Sequence, residues 1–107
     1  MPFYLIQADY SAESSKKLVE KPQQREKALA KACKALGGKM HQFFFSFGEY
    51  DAVVIAELPD NQAAAALSLS ADAGGAVRKM HTTPLLTPAE ALEAMKRAKS
   101  DEYAPPK

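Results

Sequence analysis

A single cysteine in 107 residues excludes an intrachain disulfide and any zinc site built on cysteines. Tryptophan is absent, and histidine occurs only at His41 and His81. No apolar run approaches the roughly 18–20 residues that a membrane span needs. Charge of one sign is also missing. The 14 basic and 13 acidic residues leave a net charge of +1, and the basic stretches are interspersed with Glu and Gln. That is not the electrostatic footprint of a nucleic-acid binder. "MPFYLIQADY" lacks a basic start and reads as a strand instead of a signal peptide. There is no phosphate-binding glycine loop, dinucleotide fingerprint, His-x-x-x-His or Gly-x-Ser-x-Gly. Gly37-Gly38 and Gly74-Gly75 follow helical segments instead of opening them, which is the wrong side for a phosphate. These absences predict a cytoplasmic protein with no nucleic-acid or membrane partner, no metal and no cofactor.

The length fits one domain, expected over residues 1–99, with residues 100–107 as a fraying tail. Hydrophobic residues make up 47% and charged residues 25%, an ordinary globular balance. A chain this short buries roughly 65% of its unfolded surface. One core is affordable, and association with a second copy would add to it.

"PFYLIQA" (2–8) has the branched and aromatic content of a strand. Ser11 can cap a short helical segment that runs to Pro22, and Pro22 suits the first turn of a second helix. Within that helix Ala28, Leu29, Ala32, Cys33 and Leu36 recur on one face, and Gly37-Gly38 closes it. "KMHQFFFSF" (39–47) and "DAVVIAEL" (51–58) read as two further strands. Gly48-Glu49 between them has the pattern of a type II′ turn, with positive φ at Gly48. Asp60 caps a helix over 61–73. "AVRKMHTTPLL" (76–86) is a fourth strand, placed at a sheet edge by Pro84, which has no N–H to donate. Thr87, Pro88 and Glu90 form a capping box that opens a terminal helix.

The order β-α-β-β-α-β plus a helix is the ferredoxin-like α+β arrangement, an antiparallel sheet in the order 4-1-3-2 with helices on one face. In the absence of a bulge, the two-residue loop pairs Phe47 with Tyr50, Phe45 with Ala52, Phe43 with Val54 and His41 with Ala56. The opposite face then carries Met40, Gln42, Phe44 and Ser46 against Glu57, Ile55, Val53 and Asp51. Phe44, Val53 and Ile55 make this second face too apolar for a sheet wetted on one side. The second strand, at an edge, carries four Phe in the five positions 43–47 and needs protection from edge pairing. Both features predict a homo-oligomer, with a second copy over the open sheet face.

Gly48-Glu49-Tyr50-Asp51, with "GGKMHQFFFSF" before it and "AVVIAELPDNQAAAAL" after it, resembles the GYD-domain family. The family's glycine, tyrosine and aspartate correspond here to Gly48, Tyr50 and Asp51, and the likeness runs from Met1 to about Leu86. It implies a ferredoxin-like domain of the dimeric α+β barrel type and says almost nothing about chemistry. Activities of related barrels, such as cofactor-free monooxygenases, transfer only by fold-level analogy.

Each candidate site residue has a functional and a structural reading. Asp51, with Ser46 opposite, either anchors a ligand or accepts hydrogen bonds that fix the hairpin. Tyr50 either supplies a polar group or packs on Phe47 across the strands. His41 sits on the second strand and His81 on the fourth, roughly 14 Å apart at opposite edges, too far to share an ion within one chain. The structural reading of each is a hydrogen-bonded packing residue, the commoner fate of a lone strand histidine. Arg78 either binds an anion or discourages strand pairing at the edge. Cys33 lies on an apolar helix face, as a buried and unreactive thiol would. The predicted function is small-molecule binding or a structural role, with His41, Ser46, Tyr50 and Asp51 as candidate ligand contacts and Phe43, Phe45 and Phe47 as an apolar wall. The alternatives are a cofactor-independent enzyme acting on a small, partly aromatic substrate, and a sensing or protein-interaction module.

Overall fold

Alternation along the two central strands decides which face is the core. A computed structural model describes residues 1–106. Its elements are β1 (Phe3–Tyr10), α1 (Ala12–Glu20), α2 (Arg25–Ala35), β2 (Lys39–Phe45), β3 (Ala52–Glu57), α3 (Asn61–Ala73), β4 (Val77–Leu85) and α4 (Pro88–Lys99). The antiparallel strands lie in the order β2-β3-β1-β4, the ferredoxin-like order read from the sequence. On one face Tyr4 and Ile6 of β1 meet Ala56 and Val54 of β3, and all four are buried. Against this face α2 packs Leu29, Ala32 and Cys33, and α3 packs Ala63, Ala64 and Leu67. Leu58 and Leu36 close one end of the layer. Burial pushes the Cys33 thiol pKa up, which suits an inert packing residue.

The opposite sheet face has no helix over it. It carries Phe3, Leu5, Val53, Ile55 and Phe44, of which Phe44 stays 59% exposed. Helix α4 is capped as the sequence predicts, with Glu90 N–H donating to Thr87 Oγ1 and Thr87 N–H donating to Glu90 Oε1. None of its residues is buried, and Leu92 and Met95 face solvent. The radius of gyration is 17.0 Å, against roughly 13 Å for a compact chain of about 100 residues. The chain alone leaves a sheet face and a helix unpartnered.

Three local expectations are corrected. Helix α2 begins at Arg25, with Gln24 at its N-cap position, so Pro22 belongs to the connection and not to the helix. Gly48 does not adopt positive φ, which occurs only at Gly37 (84°) and Gly75 (72°) among the described residues. The hairpin turn is accordingly not type II′: the ladder ends at Phe45–Ala52, Ser46 N–H donates to Asp51 O, and residues 47–50 make a longer loop. The register also shifts between Met40 and Gln42, so Met40 and not His41 pairs with Ala56. The physical reason is a bulge, which puts apolar Met40 against the core and sends the polar imidazole to the open face.

Gly38 is required for a different reason. A Cβ there would lie 2.2 Å from Glu57 O and 2.7 Å from Leu58 Cδ2, whereas one at Gly48 would meet nothing within 4 Å. Gly38→Ala is therefore expected to lower unfolding free energy by about 2–3 kcal/mol, and Gly48→Ala to change it by less than about 0.5 kcal/mol. Urea denaturation of the two variants checks this, and a large loss at Gly48 would contradict the turn geometry.

Candidate functional site

The hairpin after β2 brings together three of the four sequence-predicted residues, Ser46, Tyr50 and Asp51, and leaves His41 apart. Asp51 Oδ2 accepts the Tyr10 N–H at 2.9 Å, and Asp51 N–H donates to Ala8 O at 2.9 Å. These bonds lock the loop onto the end of β1. Ser46 Oγ donates to Tyr50 O across the same loop. The Tyr50 ring does not meet Phe47, which is fully exposed. It lies 6.5 Å from the His81 ring, with Lys79 Nζ 5.3 Å from its centroid. His41 Nε2 lies 2.7 Å from Glu57 Oε1, and its ring is 5.4 Å from Phe3. Tyr50 and His41 thus occupy the open sheet face near opposite ends. Arg78, the extra residue of a second bulge, pairs with the buried Asp9 at 3.0 Å.

A concave site exists on the other side of the sheet. Between the sheet, α2 and α3 lies a chamber of about 370 Å³. Its floor is Ile6, Ala8, Ala52 and Val54, and its walls include Leu29, Phe43, Leu67 and Met80. Small residues on the helices hold it open: Ala28 and Ala32 on α2, and Ser70 and Ala71 on α3. Phe43 lines the chamber, whereas Phe45 and Phe47 do not, nor do His41, Ser46, Tyr50 and Asp51.

Tyr10 and Arg25 stand where this chamber meets a second, more polar hollow of about 320 Å³ beneath α1. Gly74 and Ala76 border both. The rim is held by Ser11, whose N–H donates to Ala76 O at 3.1 Å and whose hydroxyl donates to Gly75 O at 3.1 Å. Burial raises the Tyr10 pKa, with the neighbouring Arg25 guanidinium pulling it back and Asp51 adding to the rise. The Tyr10 hydroxyl is therefore a protonated donor at neutral pH. Arg25 is half-buried and forms no ion pair among the described residues. Sequence periodicity placed Ala28, Leu29 and Ala32 on the inner face of α2. It gave no sign of Arg25 or Tyr10, because a residue's place at a cavity mouth depends on the packing of α1 and α3.

The GYD domain profile matches residues 4–95. The chain belongs to the GYD-domain family. In this GYD domain the tyrosine and aspartate of the motif both accept hydrogen bonds from Ser46 at the hairpin closure through their backbone carbonyls, and Asp51 ties that hairpin to β1. No curated protein matches the chain. Among solved structures, one titled "crystal structure of FFRP-DM1" aligns over 80% of this chain and 100% of that chain, at 15% identity and a TM-score of 0.49.

Removing the Asp51 carboxylate deprives the Tyr10 N–H of its acceptor. Asp51→Ala is expected to destabilise the GYD domain by about 1.5–3 kcal/mol, and Asp51→Asn, which keeps an acceptor oxygen, by clearly less. Equal losses in urea denaturation would show that the bond to Tyr10 is not the source of the effect.

Proposed function

We propose that this GYD-domain protein is a homo-oligomer that binds a small molecule in the chamber between sheet and helices. The observation that carries the reading is the chamber itself. A space of about 370 Å³ with mainly apolar walls and a few polar groups at its mouth has the character of a ligand pocket. Its lining holds no carboxylate, imidazole or thiol, and its one titratable hydroxyl, that of Tyr10 at the mouth, is held protonated by burial. Binding without chemistry is therefore favoured over the cofactor-independent enzyme, which needs an acid or base within reach of its substrate.

The oligomer has separate support. Phe3, Leu5, Val53, Ile55 and Phe44 share the helix-free sheet face, and Phe44 and Phe45 stand on the edge strand more than half exposed. Apolar area of this kind gains roughly 25 cal/mol per Å² when it leaves water. A second copy, sheet against sheet, removes that surface from solvent and protects the β2 edge. His41, Tyr50 and His81 then lie at this junction, where any ligand contact they make belongs to the interface and not to the chamber.

Two measurements test the two halves. An apolar fluorescent probe is expected to bind once per chain and to be displaced by the natural ligand. Ala71→Phe, which fills the chamber, is expected to abolish probe binding with the melting temperature unchanged or raised. Persistent binding in that variant would place the ligand elsewhere. Light scattering after size exclusion is expected to give at least twice the 11.6 kDa chain mass, and Phe44→Glu to shift the protein toward the monomer. A stable wild-type monomer at micromolar concentration would end the oligomer reading.

A further inference from the structure

We propose that the chamber's ligand is an apolar monocarboxylate, an aryl or short alkyl acid whose tail fills the chamber and whose carboxylate meets Arg25 and Tyr10. The inference rests on the chamber being the ligand site. It follows from how polarity changes between the two adjoining hollows, which share Tyr10 and Arg25. Inside, Ile6, Leu29, Phe43, Leu67 and Met80 offer only hydrocarbon, ring and thioether. Both groups shared by the two hollows that can end a ligand's apolar tail are hydrogen-bond donors. Arg25 presents a planar fork that matches a carboxylate bidentately, and the Tyr10 hydroxyl can donate a further bond.

Charge points the same way. In the outer hollow Glu13 is paired with Lys17 at 3.5 Å, so its negative charge is already offset. The nearby Asp51 carboxylate accepts the Tyr10 N–H. Arg25 forms no ion pair among the described residues and has the Tyr10 hydroxyl as its neighbour at the junction of the two hollows, half-buried beside apolar surface where a counter-ion is held more tightly than in open water. A cationic ligand would meet the Arg25 guanidinium at the mouth, and a neutral one would leave it without a counter-ion. Size sets a further bound. The chamber lies at the small end of the roughly 300–1,000 Å³ found for ligand pockets, which suits one ring or a short chain.

The test is calorimetric titration of the full chain with three probes of one shape: 4-phenylbutyrate, 4-phenylbutanol and 4-phenylbutylamine. The acid is expected to bind about tenfold to a hundredfold more tightly than the alcohol, the range set by one charge-assisted contact, and the amine more weakly than either. Arg25→Gln is expected to cut acid affinity about tenfold or more and alcohol affinity far less, erasing the preference, with the melting temperature of the variant read separately as the control for folding. Arg25→Lys should restore part of the preference. If acid and alcohol bind the wild-type protein equally, or the amine binds best, the carboxylate assignment is overturned while the chamber remains the ligand site. If none of the three binds, the chamber reading falls and takes this inference with it.

Discussion

The structure depends on an uneven filling of the layer between sheet and helices. At one end Leu58, Cys33 and Ala56 are completely buried, with Leu36 and Met40 packed against them. At the other end the residues that face inward are Ala8, Ala52, Ala28, Ala32 and Ala71, and they leave about 370 Å³ unfilled. Sealed and dry, a void of that volume would cost on the order of 9 kcal/mol at about 24 cal/mol per Å³. That is comparable to the whole stability of a domain, roughly 5–15 kcal/mol. A hollow of that size is sustainable when it is open to solvent, and the proposed apolar ligand would recover burial that the core forgoes.

The second sheet face obeys the same accounting of apolar surface with a different outcome. Here the strands place Phe3, Leu5, Val53 and Ile55 outward, and no helix of the same chain lies over them. Helix α4 is well capped yet buries nothing, so its formation owes more to the Thr87–Glu90 box than to packing. The hydrogen bonds of Glu90 to Thr87 lower its carboxylate pKa, so this contribution is present at neutral pH and fades as pH falls through the depressed value. A chamber on one face and an unpartnered apolar surface on the other give the two halves of the proposed function separate physical origins.

Much of this was legible in the sequence. The strand and helix order, the edge positions of β2 and β4, the caps at Ser11, Asp60 and Thr87, and the inner stripe of α2 follow from local chemistry. The misreadings share one cause, which is that tertiary packing adjusted a locally reasonable pattern. Gly48-Glu49 has the composition of a tight turn, but the Asp51 bond to β1 holds a longer loop. The strict two-residue alternation paired His41 with Ala56, and a bulge gave that place to Met40, whose side chain is apolar. Arg25 and Tyr10 were hidden for a deeper reason. They come from different elements and meet only where α1, α2 and the α3–β4 turn converge.

The chain's methionines allow that convergence to be tested directly. Met80 lines the chamber, Met40 packs at the filled end, and Met1 and Met95 are exposed. In a carbon–proton NMR spectrum of methyl-labelled methionines, saturating 4-phenylbutyrate is expected to move the Met80 signal while Met1 and Met95 stay in place. An unmoved Met80 alongside a shifted Met95 would put the ligand outside the chamber and contradict the account.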